Sequence, residues 1–109
     1  MTAWLIAFAL TQALEAPIYV AALRGRPWAR RILLALVPSA VTHPVVWFVF
    51  PALIEPYWTM VVVAEAFAVV VEAALLAGVM GVRRGWLWSL GANAFSCGTG
   101  FALFGLGVL

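Results

Sequence analysis

Apolar residues run along this chain in four long stretches, and charged residues and prolines gather between them. The first stretch covers residues 2–23 and is broken by Arg24, Gly25, Arg26, Pro27, Arg30 and Arg31. The second covers 32–54, with Pro51 and Pro56 bracketing a turn that holds Glu55. The third, 57–82, runs to Arg83, Arg84 and Gly85, and the fourth covers 86–109. Each stretch supplies the roughly 20 apolar residues that carry a helix across about 30 Å of hydrocarbon. Each is about twice the length of a membrane strand, and apolar residues do not alternate with polar ones. Backbone polar groups in lipid must be paired within their own segment, which leaves helices. The pattern predicts an all-α polytopic membrane protein, a single domain over 1–109, with four transmembrane helices in a compact bundle.

Composition strengthens that expectation. Hydrophobic residues make up 67% of the chain and charged residues 9%, and the mean hydropathy is +1.13. A soluble domain carries about 25% charged residues, and ten charges could not cover the water-exposed surface of so small a fold. The single cysteine, Cys97, excludes an internal disulfide and a thiolate metal cage. In the fourth segment it is expected to be an ordinary buried small residue. The segment after Met1 has no basic residues before its apolar run, so it is expected to be a retained helix and not a cleaved signal peptide.

All six basic residues are arginines, and they fall in two clusters, Arg24 to Arg31 and Arg83 to Arg84. Such clustering between apolar runs is no footprint of nucleic acid; it suits loops that face anionic lipid. The termini and the turn around Glu55 hold no lysine or arginine. The positive-inside rule then predicts arginine loops in the cytoplasm and both termini outside, in a bacterial cytoplasmic (inner) membrane. Trp28 and Trp86 suit the inner interface, and Trp4, Tyr57 and Trp58 the outer one.

The two hairpins resemble one another. Leu14-Glu15-Ala16 in the first corresponds to Val71-Glu72-Ala73 in the second, and Ser39 and Thr42 correspond to Asn93 and Ser96. Both copies would begin outside, as parallel repeats about an axis along the membrane normal. Two apolar hairpins can also resemble each other by coincidence, and the sequence leaves both readings open.

Polar residues within the apolar stretches carry the candidate chemistry: Glu15, Ser39, Thr42, His43, Glu65, Glu72 and Asn93. A charge at the bilayer centre costs at least about 2.5–3.5 kcal/mol on insertion scales, so such groups face the bundle interior or a wet cavity. Counted from the nearest arginines, Glu15, Ser39, Glu72 and Asn93 lie roughly 12–17 Å deep at about 1.5 Å per residue, in one layer. Glu65 and Glu72 are two turns apart on nearly one face, and His43 sits above the Ser39 layer. One reading is a proton or small-cation site, because carboxyls and a histidine take up and release protons. The other is helix packing, with neutral carboxyls hydrogen-bonding the helices together.

Pro17, Pro38 and Pro44 lie within the first two segments, so the first hairpin is expected to be the more irregular. Tyr19 is expected at the interface, with a carboxyl partner as the alternative. Gly91, Gly98, Gly100 and Gly105 are expected to let the fourth helix pack closely, within the bundle or against another copy or subunit. The chain offers no zinc, nucleotide or haem pattern, so neither metal nor cofactor is expected. Catalysis finds little support, since Ser39 and Thr42 share a helix with His43 and no orienting carboxylate is fixed by spacing. Three classes stay open: a proton- or cation-linked transporter or channel, working as a homo-oligomer; a non-catalytic accessory or assembly subunit of a larger membrane complex; and an enzyme, which would need a cofactor or lipid-substrate cleft near His43.

Overall fold

In the computed structural model, which describes residues 2–108, four helices form an up-and-down ring. Helix α1 spans Thr2–Ala22, α2 Trp28–Leu53, α3 Tyr57–Val79 and α4 Gly85–Gly105. Helices that follow one another in the chain pack together, and α4 closes the ring on α1. The bundle measures 41 × 26 × 22 Å, so its long axis matches the roughly 40–45 Å of a bilayer with its headgroups. Large side chains such as Leu33, Leu53, Val62, Val70 and Val79 face outward. In water they would form a continuous apolar surface, and in lipid they are solvated.

Helices α1, α2 and α3 are long and apolar enough to cross a membrane. Helix α4 has 21 residues but stands outside that set, because Ser89, Asn93, Ser96, Thr99 and its glycines dilute its apolar content. The end of the fourth expected segment, Leu109, lies outside the described residues.

Helix ends depart from the apolar stretches for local reasons. α2 begins at Trp28, immediately after Pro27, and so takes in Arg30 and Arg31. Proline's fixed φ suits a helix start. Arg31 folds back, its Nε and Nη2 donating to the Val20 carbonyl at 3.1 and 2.8 Å, while its guanidinium stacks 4.0 Å from the Trp28 ring. The charge thereby caps the C-terminal end of α1, where unpaired carbonyls attract cations. α3 stops at Val79 because Gly81 takes φ +68°, the left-handed conformation that ends helices.

Irregularity is shared between the hairpins. α2 opens into a π turn at Val45–Val49, directly after Pro44, as expected where a proline removes a backbone donor. α3 opens into another at Leu75–Val79 with no proline nearby, so each hairpin holds one π turn. In α1, Pro17 sits within an unbroken helix.

The glycine expectation needs correcting. A Cβ added at Gly91, Gly98, Gly100 or Gly105 would meet nothing within 4 Å. Gly91, Gly98 and Gly105 lie seven residues apart and face out of the ring, so they bring no helix of this chain closer. Close packing falls instead to Gly85, whose Cβ would sit 2.8 Å from the Ala77 backbone nitrogen.

Packing divides the bundle lengthwise. Toward the arginine loops, Tyr19, Leu23, Ala35, Leu76, Met80, Val82 and Ala92 form the buried apolar core. Toward the termini, no described residue before Glu15 or after Asn93 is buried.

Candidate functional site

The polar layer lies where packed core gives way to open bundle. Glu15 of α1 and Glu72 of α3 are 2% and 1% exposed, on diagonally opposite helices. Glu15 Oε1 accepts from the Ser39 hydroxyl of α2 at 2.8 Å, and its Oε2 accepts from the Ser96 hydroxyl of α4. Glu72 Oε2 accepts from the Thr42 hydroxyl of α2 at 2.7 Å. Its Oε1 accepts from the Tyr19 hydroxyl of α1 at 2.5 Å and from Asn93 Nδ2 of α4 at 3.3 Å. The network thus ties all four helices together at one depth.

Its connectivity is two-fold. Each glutamate takes one donor from its own hairpin, Ser39 for Glu15 and Asn93 for Glu72. Each takes another from the opposite hairpin, Ser96 for Glu15 and Thr42 for Glu72. These are the positions that the repeated pattern equates. Tyr19 breaks the symmetry, because the matching residue four after Glu72 is Leu76, which has no donor.

A cavity of about 800 Å³ opens above this layer toward the termini. Glu15, Glu72, Thr42, Asn93 and Ser96 contribute to its lining, while Tyr19 and Leu76 lie beneath in the packed core. Most of the wall is apolar, including Ile6, Leu10, Leu14, Val46, Ala68 and Phe104. A mainly apolar hollow with a few convergent polar groups is the usual form of a small-molecule site.

His43 and Glu65 line the same cavity without joining the network. His43 is 7% exposed, its Nδ1 has no hydrogen-bond partner, and its ring packs between Phe8 and Trp47 with centroids 5.3 and 6.1 Å away. Glu65 is half-buried and, among the described residues, accepts no hydrogen bond. A second groove between α3 and α4, lined by Trp58 and Phe101, shares Tyr57, Glu65, Ser96, Cys97, Gly100 and Phe104 with the cavity. Cys97, expected as an ordinary buried residue, is therefore part of this wall and only half-buried.

Tyr19 departs most from the sequence reading, being fully buried and not interfacial. Its place four residues after Glu15 on one helix face was the available signal. Ser89 was passed over; its hydroxyl donates to the Val69 carbonyl at 2.7 Å, and the Ser89 carbonyl accepts from Asn93 Nδ2 at 2.9 Å. Among the described residues, no three His, Cys, Asp or Glu side chains are placed to hold a metal ion.

Compared with known protein families, with curated proteins and with solved structures, the chain matches none. The molecule's own geometry supports one coarse statement. This is a small all-α membrane-associated protein with an internal polar network. Its candidate spans suit a multipass protein embedded in a lipid bilayer.

Proposed function

We propose that the chain is a proton- or cation-linked carrier, with the Glu15–Glu72 pair as its titrating centre. The observation that carries this reading is the carboxyl pair itself, joined to every helix at the floor of the cavity. Packing alone is a weak reason for such a pair. Hydrogen bonds between membrane helices average only about 0.6 kcal/mol each, and hydroxyls or amides alone could supply them, which favours a working role for the carboxyls.

In this reading α4 also crosses the bilayer, made tolerable by directing Asn93 and Ser96 inward. Both termini lie outside and the arginine loops face the cytoplasm, so the cavity opens outward. The crossed bonding of equivalent positions supports two hairpin repeats parallel in the membrane.

Proton flux into liposomes, read with an internal pH dye, tests the proposal. The intact protein is expected to carry pH-dependent flux, and Glu72→Gln to lower it at least tenfold. Flux no greater than that of empty liposomes, from folded protein, would overturn it. A second reading, an accessory subunit, is favoured by the outward stripe of Gly91, Ala94, Gly98, Ala102 and Gly105 on α4. Membrane helices approach closely along such small faces. Full flux by the isolated chain would sink that alternative.

A further inference from the structure

The three carboxyls of the cavity are not equivalent. Glu15 and Glu72 accept five side-chain donors between them. Glu65 is on the same helix as Glu72, two turns or roughly 10 Å nearer the termini, and is left without a donor. It stands where the cavity joins the groove between α3 and α4. The same hollow contains a second unsatisfied group, the buried Nδ1 of His43.

We propose that Glu65 is the counter-ion for an amphiphilic ammonium ligand that reaches the cavity from lipid between α3 and α4. The sign of the charge follows from the lining, which includes three carboxyls and neither lysine nor arginine. A bare divalent metal does not fit, since no ligand triad is assembled among the described residues. An apolar body does fit, because the wall is mostly aliphatic and its volume is that of a drug-sized ligand. The way in follows from the shared wall. Gly100 and Cys97 leave it thin, and Trp58, Phe101 and Phe104 flank it on the lipid side. An ammonium head is then drawn to Glu65 while its chain stays against apolar side chains, and His43 offers a hydrogen-bonding nitrogen nearby. This ligand class deepens the carrier reading and rests on it for the claim of transport, although binding can be measured without transport.

The test is calorimetric titration of the protein in phosphatidylglycerol nanodiscs, with empty discs subtracted. Octylammonium is the probe, and octanol and octanoate are its neutral and charge-reversed controls. Saturable binding is expected for octylammonium alone, weakened at least tenfold in Glu65→Gln. Gly100→Ile, which fills the shared wall where a Cβ has open space, is expected to weaken binding while Glu65 stays in place. Equal binding of octanol, or unchanged octylammonium affinity in Glu65→Gln, would overturn the proposal. So would the absence of saturable binding. An ammonium head could come from a free amine or from an aminophospholipid, and discs containing phosphatidylethanolamine separate the two. Competition there identifies the lipid, undiminished binding identifies the free amine, and either outcome supports the site. Glu72-dependent proton flux without octylammonium binding would remove the ligand and leave the carrier. Binding without flux would remove the carrier and leave the ligand site.

Discussion

The two ends of this bundle are built from the same kinds of residue and reach opposite results. Toward the arginine loops, Leu23 and Leu76 are fully buried and helix ends are locked by Arg31 on Val20 and by Arg26, which donates to the Met80 carbonyl. Toward the termini, Leu10 and Leu14 line a cavity. Lipid explains how both can coexist. Where the surrounding solvent is as apolar as leucine, burial gives little drive to collapse, and packing must come from shape and hydrogen bonds. The loop end has both, through Gly85 against α3 and short backbone-capping contacts. The terminal end encloses the cavity, with Ala64 and Ala68 of α3 and His43 of α2 still buried there.

Stability measurements can break this comparison. The largest expected effect is Leu76→Ala, which should destabilise the protein by about 2–5 kcal/mol, as core truncations do. Leu10→Ala, on the cavity wall, should cost under about 1 kcal/mol, because its neighbours already lack contacts on one side. Unfolding in detergent micelles reads both, and equal losses would mean that the terminal end is packed too. Next comes Gly85→Ala, expected to cost about 1–3 kcal/mol through overpacking against Ala77. Gly98→Ala should be neutral or should stabilise by about 0.5–1 kcal/mol, as glycine is a poor helix interior residue. A marked loss at Gly98 would show that its outward face is covered.

Smaller effects sharpen the boundary. Tyr19→Phe removes one of three donors to Glu72 and is expected to cost roughly 1 kcal/mol. Thr42→Val and Ser96→Ala each cut one bond between hairpins, and should cost similar amounts of about 0.6 kcal/mol. A large inequality between them would contradict the two-fold arrangement.

Much of the architecture was legible because lipid leaves few choices. The apolar run lengths yield four helices, and the arginines mark the turns. Helix ends were misjudged where a single proline or glycine decides them, as Pro27 does at α2 and Gly81 at α3. The polar layer was legible as a depth, since rise per residue puts Glu15, Ser39, Glu72 and Asn93 level. That Thr42 reaches Glu72 and Ser96 reaches Glu15 was not legible, because those bonds depend on how one hairpin lies against the other. Tyr19 was misread, and packing of the α4 glycines within this bundle was not found, for the same reason. Periodicity says which residues share a face, but not which way that face turns.

The packed loop end has one more consequence, a kinetic one. A molecule resting on the carboxyl layer has an open path back and a closed path forward, through Leu23, Leu76 and the residues around them. In the carrier proposed above, passage across would have to part those side chains, and tighter packing there would raise that barrier. Substitutions that tighten it would then slow turnover while raising the unfolding midpoint. For a carrier of this design, speed and durability would be set by the same few leucines.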